Sequence, residues 1–247
     1  MSLGAGTDTR PLRLFYSDEH HGVVYHELDF PETVDRKQHN VLTAPQFRAE
    51  VATDTPGSHD AVSIILHKLE AQSKTTPTNR LVLHGLDLRS LASADPPALF
   101  GLDPSLPTLV LSECCLCYLT VPESQAVLEY FTSRIPSLGA VIYEPIKPQD
   151  AFGQVMVTNL AAQGICMPTL EAFQDEEAQK LRMLKLGFDP VRNLTIDTIW
   201  ERWVLEEEKE RLNGLEMLDE IEEWNMLAGH YIVLWGWRGE GFDLPRL

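Results

Sequence analysis

The chain has 247 residues, 44% hydrophobic and 23% charged, an ordinary globular balance with enough length to bury a substantial core. Its formal net charge of −17, from 37 Asp and Glu against 20 Lys and Arg, argues against a nucleic-acid backbone as the main partner and serves solubility. No stretch approaches the ~20 apolar residues of a membrane span, and no leader or lipidation pattern is legible, so a cytoplasmic protein without membrane attachment is expected.

Met1-Ser2-Leu3 leads straight into Gly4-Ala5-Gly6-Thr7-Asp8-Thr9-Arg10. A glycine turn of this kind ordinarily follows a strand of about 5 residues, so the first strand is expected to be cut short, with sequence missing upstream. Pro11 to Tyr16 reads as a helix, with Pro11 in its first turn and Thr7, Asp8 and Thr9 as capping oxygens. Val23 to Asp29 reads as a strand closed by Pro31. Val34 to Asn40 reads as a short helix, and 44–60, with its Pro, Thr and Gly, as a surface loop.

Arg80 to Gly85 is the next strand, followed by a linker holding Pro96, Pro97, Pro104 and Pro107. Leu109 to Glu113 is a continuous apolar run, expected to be a strand buried on both faces. A helix over Pro122–Arg134 and a strand over Ala140–Glu144 follow. Gln154 to Ala162 reads as helix, as does Asp175 to Leu186, closed by Gly187. Thr198 to Leu227 reads as a long acidic helical region broken at Gly214, with Leu215, Leu218, Ile221, Trp224 and Leu227 as one apolar stripe. Tyr231 to Trp237 closes the chain as a strand. No internal repeat and no second domain is legible, and 1–247 reads as one domain.

Strands alternating with helices imply an α/β fold with a mostly parallel sheet covered on both faces. In such sheets, ligands bind outside the carboxyl ends of the strands, so the residues just after each strand are the candidates. Gly4 and Gly6 allow a tight turn and close approach of backbone to a ligand. The dinucleotide fingerprint would put a third glycine where Thr9 stands, which disfavours a pyrophosphate ligand. Asp29 is placed to accept hydrogen bonds from a ribose, with Glu27, two residues earlier on the same strand face, as the fallback.

Asp87, with Leu88 beside it, stands ready to hold an adenine edge; the alternative is a helix N-cap or an ion pair with Arg89. Glu113, after an apolar run, is expected to be partly buried and to need a cationic partner, either a ligand ammonium or a buried Arg or Lys. Tyr118 faces substrate or packs as an ordinary tyrosine. Acidic residues after three strands and a Gly-x-Gly turn together match the carboxylate, ribose, adenine and ammonium of S-adenosylmethionine. Cys114, Cys115, Cys117 and Cys166 lack the paired spacing of a zinc site and read as buried reduced thiols. No metal is expected.

Leu3-Gly4-Ala5-Gly6-Thr7-Asp8-Thr9, Glu27-Leu28-Asp29-Phe30-Pro31 and Asp87-Leu88-Arg89 resemble the leucine carboxyl methyltransferase family, of the fungal type. So do Ser112-Glu113-Cys114-Cys115-Leu116-Cys117-Tyr118, Tyr143-Glu144-Pro145, Phe152-Gly153-Gln154-Val155-Met156, Leu215-Glu216-Met217-Leu218-Asp219-Glu220 and His230-Tyr231. The resemblance implies a class I S-adenosylmethionine-dependent methyltransferase fold with a terminal antiparallel strand at Tyr231–Trp237. Family-specific helices within about 150–230 would shape the substrate pocket.

The resemblance also implies roles. Gly4 lines the methionine part of the cofactor, Asp29 takes the ribose hydroxyls, Asp87 and Leu88 hold the adenine, and Glu113 meets the methionine end. The implied reaction methylates the α-carboxylate of the C-terminal leucine of the protein phosphatase 2A catalytic subunit, by a monomer. An α-carboxylate of pKa about 3.3–3.7 is already ionised at neutral pH, so no general base is nominated and alignment carries the catalysis. The family has an N-terminal helical segment that clamps the cofactor, and this chain shows no counterpart. The alternatives are therefore a catalytically impaired phosphatase-binding remnant, or a related tRNA-modifying or small-molecule carboxyl or O-methyltransferase.

Overall fold

The computed structural model describes residues 1–17, 20–45, 47–51, 61–68, 79–215 and 221–242, in two units, Met1–Pro104 and Ser105–Leu247. The first contains β1 (Ser2–Leu3), α1 (Arg10–Tyr16), β2 (Val24–Asp29), α2 (Pro31–Thr43), β3 (Phe47–Val51), β4 (Ala61–Lys68) and β5 (Arg80–Gly85). Its strands lie in the order β3-β4-β5-β2-β1. β2 runs parallel to β5 from Val24 opposite Arg80 to Asp29 opposite Gly85, so the two strands end level. β1 is also parallel to β2, with Leu3 opposite Leu28.

Two elements depart from the sequence reading in this unit. Phe47–Val51 is a strand antiparallel to β4, within the stretch expected to be loop; 52–60 lie outside the described residues. β4 itself, Ala61–Lys68, carried no assignment. It pairs antiparallel with β5, and its Ile64 is buried in a core with Phe15, Val34, Val41, Leu81 and Leu83. That core explains why α2 is longer than expected. Pro31 starts it, as a preset first-turn residue, and the stripe continues past Asn40 to Val41.

The second unit contains β6 (Thr108–Glu113), α3 (Val121–Thr132), β7 (Leu138–Pro145), α4 (Ala151–Ala162), α5 (Glu176–Lys185) and β8 (Val191–Thr195). It continues with α6 (Ile196–Trp203), α7 (Glu206–Asn213), α8 (Ile221–Ala228) and β9 (Tyr231–Arg238). The strand order is β6-β7-β9-β8. β6 and β7 are parallel, with Glu113 opposite Tyr143. β9 is antiparallel to both β7 and β8, as expected of the terminal strand. A reciprocal cap starts α3: the Thr120 hydroxyl accepts from the Glu123 N–H and Glu123 Oε2 accepts from the Thr120 N–H.

Two expectations need correction here. β6 is not buried on both faces: Val110 and Ser112 are buried, but Leu109 is 48% exposed. Among the described residues, the acidic helical region forms three helices, interrupted at Val204–Leu205 as well as after Asn213. Of its apolar stripe, Leu215, Ile221 and Leu227 are exposed; Leu218 lies outside the described residues. Among the described residues, no helix is long and apolar enough to cross a membrane.

Candidate active site

In the first unit the chain leaves β1 and turns back on itself. Gly4 and Gly6 both adopt the left-handed region, with φ of 60° and 52°, which side-chain-bearing residues rarely take. The Gly4 N–H donates to the Leu28 carbonyl at 2.8 Å. The Gly6 N–H donates to Asp29 Oδ2 at 2.7 Å, and the Phe30 N–H to Asp29 Oδ1 at 2.7 Å. Gly4, Gly6 and Asp29 are therefore brought together at the end of β2. An ionised carboxylate offers about four acceptor positions, so Asp29 keeps capacity beyond these two bonds. A Cβ placed on Gly6 would meet nothing within 4 Å; the turn faces open space of the kind a ligand fills.

The Leu86 N–H donates to the Asp29 carbonyl at 2.8 Å, tying the end of β5 to the end of β2. Asp87 follows as the N-cap of a short 3-10 helix, Leu88–Ala92, accepting from the Arg89 N–H at 2.9 Å. Its carboxylate also pairs with the Arg89 guanidinium, whose hydrogen bonds hold it below the usual carboxylate range. Both alternatives named from the sequence are thus present. Leu88 is buried, so its side chain is core and only its main chain can serve a ligand.

Glu27 is excluded as the ribose acceptor. It is 1% exposed, and Lys37 Nζ lies 2.7 Å from its Oε1 and 2.6 Å from its Oε2. Burial pushes its pKa up to about 7, against the opposing pull of Lys37. Lys37 also donates to the Asp8 carbonyl at 2.6 Å. The Asp8 carboxylate accepts from the Arg10 N–H at 2.8 Å and from Arg10 Nε at 2.7 Å. Burial raises the Asp8 pKa, but the Arg10 bonds and the charges of Arg10 and Lys37 outweigh it and hold it low. The sequence reading missed Lys37. The available signal was its place in α2, three residues after Val34 and four before Val41, on the stripe that packs inward.

In the second unit, Glu113 ends β6 and is exposed, which corrects the expectation of partial burial. The chain then turns through Cys114 at a φ of 43°. Cys117 is buried and Cys166 exposed, so the thiols are not all buried as expected. Burial pushes the Cys114 thiol up to about 11. Tyr118 is 49% exposed. Tyr143 and Tyr231 stack at 5.3 Å between ring centroids. Burial pushes the Tyr143 phenol up to about 12, and those of Tyr118 and Tyr231 upward, so all three hydroxyls stay protonated at neutral pH.

The Phe-Gly-Gln-Val-Met string has a steric basis. A Cβ on Gly153 would lie 2.0 Å from the Lys147 carbonyl oxygen and 2.8 Å from Pro148 Cα. Asp150 caps α4 through the Gly153 N–H at 2.8 Å, and His230 Nε2 lies 2.9 Å from both Asp150 carboxylate oxygens. Phe152 packs on the His230 ring at 4.5 Å. The segment after β7 is thereby fastened to the start of β9.

The leucine carboxyl methyltransferase family model matches residues 1–132, which hold the turn, Asp29, Asp87 and Glu113. The chain belongs to this family. It is 42% identical over 277 residues to leucine carboxyl methyltransferase 1 of Aspergillus fumigatus, covering 98% of this chain and 66% of that one. It is 30% identical over 241 residues to human tRNA wybutosine-synthesizing protein 4, covering 97% of this chain and 34% of that one. The chain thus spans just under two thirds of the Aspergillus relative. Among solved structures it is similar to Haemonchus contortus Phospholethanolamine N-methyltransferase 2, with a TM-score of 0.50 and 10% identity. The alignment covers 97% of this chain and 48% of that one. The likeness establishes the fold, that of the class I methyltransferases.

Proposed function

We propose that the chain binds S-adenosylmethionine and methylates the α-carboxylate of the C-terminal leucine of the protein phosphatase 2A catalytic subunit, as a cytoplasmic monomer. Its family membership supports the reaction class. The observation that carries the cofactor is the glycine turn bonded to Asp29 by the Gly6 N–H, with open space in front of it. The net charge of −17 favours this reading over a tRNA substrate.

When bound, the cofactor supplies an electrophilic methyl group on a sulfonium. The chain's residues would then bind and orient. Asp29 accepts the ribose hydroxyls with its remaining lone pairs. The main chain at Gly4 and Gly6 seats the methionine part, and Asp87 and the Leu88 main chain hold the adenine. No proton has to be removed from an acceptor carboxylate that is ionised near neutral pH, so the rate comes from holding oxygen, methyl and sulfur in line.

The test is transfer of labelled methyl from S-adenosylmethionine to a peptide with the phosphatase tail sequence ending in free leucine. Base-labile label in this peptide, and none in its C-terminal amide, is the expected result. Equal label in both peptides, or none in either, would contradict the reading.

A further inference from the structure

We propose that Lys37 is a positioning residue that fixes the Gly4–Asp8 turn in its ligand-accepting conformation, an inference that rests on the cofactor reading above. The ammonium joins three elements. It stands on α2, pairs with Glu27 on β2, and donates to the carbonyl of Asp8, where the turn ends. Its side chain is 10% exposed and that of Glu27 1%, so little water competes for these bonds. Two residues earlier in the turn, the Gly6 N–H is held by Asp29. The glycines that let the turn form also leave it free to take other conformations, and two side-chain anchors, one at Gly6 and one at Asp8, restrict that freedom.

Glu27 has a defined part. A lone buried ammonium is expensive, and the carboxylate opposite it offsets that cost. The pair therefore sets where the ammonium stands, and the ammonium sets where the Asp8 carbonyl stands. Neither side chain needs to touch the cofactor. A purely structural ion pair would hold α2 against β2 and nothing else, so the two roles separate experimentally.

The experiment compares the wild-type chain with Lys37→Met and with the double variant Glu27→Leu/Lys37→Met. The single variant leaves Glu27 buried and unpaired and is expected to lose stability. Replacing both partners by apolar groups is often neutral or stabilising, so the double variant is expected to fold as stably as wild type. It still lacks the donor to the Asp8 carbonyl.

The readouts are amide hydrogen exchange at Gly6 and Asp8, and the calorimetric Kd for S-adenosylmethionine. In the double variant these amides are expected to exchange about tenfold faster and the Kd to rise about tenfold, as for one lost charged hydrogen bond. Wild-type exchange and wild-type Kd in a stable double variant would overturn the proposal. If the wild type binds no S-adenosylmethionine, the cofactor reading fails, and the exchange rates alone decide whether Lys37 fixes the turn. If the double variant is unstable, exchange measured under native conditions in Glu27→Gln/Lys37→Met, which also removes both charges, decides it: faster exchange at Gly6 and Asp8 with α2 and β2 still protected supports the role, and wild-type exchange at those two amides overturns it.

Discussion

Among the described residues, each unit buries an ion pair that involves a strand carboxylate, and the two pairs do different things. In the first, Lys37 spends its bonds on Glu27 and on a carbonyl of the glycine turn. In the second, Arg182 on α5 bonds Glu144 of β7 at 2.9 Å, Gln179 of its own helix at 3.3 Å, and the Ser124 hydroxyl of α3. The guanidinium also covers the Phe173 ring, 4.5 Å from its centroid. It is fully enclosed, and Glu144 Oε1 and Arg182 Nε have no hydrogen-bond partner among the described residues. One cation is aimed at the main chain of the glycine turn; the other is aimed at side chains of the packing. A buried charge is therefore informative about function only through what else it touches.

The largest expected effect tests the second pair. Arg182→Met leaves Glu144 buried without its cation, and we expect a loss of about 3–5 kcal/mol in denaturant unfolding. The cofactor Kd of the molecules that remain folded should stay within about twofold of wild type. A raised Kd at full folding would erase the contrast between the pairs.

Next comes Asp29→Asn. It keeps the shape but loses the charge that strengthens the Gly6 bond and the ribose bonds, and about 1.5–3 kcal/mol of cofactor affinity should disappear in calorimetry. Stability should change far less, because Asp29 is only partly buried. Gly153→Ala should cost about 1–3 kcal/mol of stability, since its Cβ would meet backbone rather than a movable side chain. Asp150→Ala should cost about 1 kcal/mol through the lost cap of α4.

The smallest effect is a pH dependence. The Glu27 pKa is raised to about 7, so the folded state binds the extra proton. Its contribution to stability is fully present below the ordinary value near 4.5 and is lost as pH rises through 7. His26 and His84, 3.0 Å apart and buried, are lowered to about 3 and 4 by that burial. Their contribution is present above about 6.5 and is lost as pH falls. The two oppose each other between pH 7 and 5. Urea unfolding at both pH values should show Glu27→Gln losing more stability on acidification than wild type does. An equal loss would mean that Glu27 does not titrate in this window.

The legible parts of the sequence were those set by local pattern. The apolar runs gave β5, β7 and β9, and the positions after β2 and β5 gave Asp29 and Asp87. β4 was not legible because Ala61–Lys68 mixes Ser and Ala with Ile, and its burial is decided by the pairing with β5. Glu113 was expected to be partly buried because the run before it is apolar, yet the exposure of Leu109 shows that one face of β6 is open there. Lys37 was hidden for a different reason. A lysine within a helix reads as solvated by residue type, and only its spacing between Val34 and Val41 on the inward stripe marks it otherwise.

The most direct test of the account is calorimetric titration of wild type and Asp29→Asn with S-adenosylmethionine. The account predicts one site per chain in the wild type and a Kd at least about tenfold weaker in the variant. An identical Kd in both, or no binding to a folded wild-type chain, would contradict it.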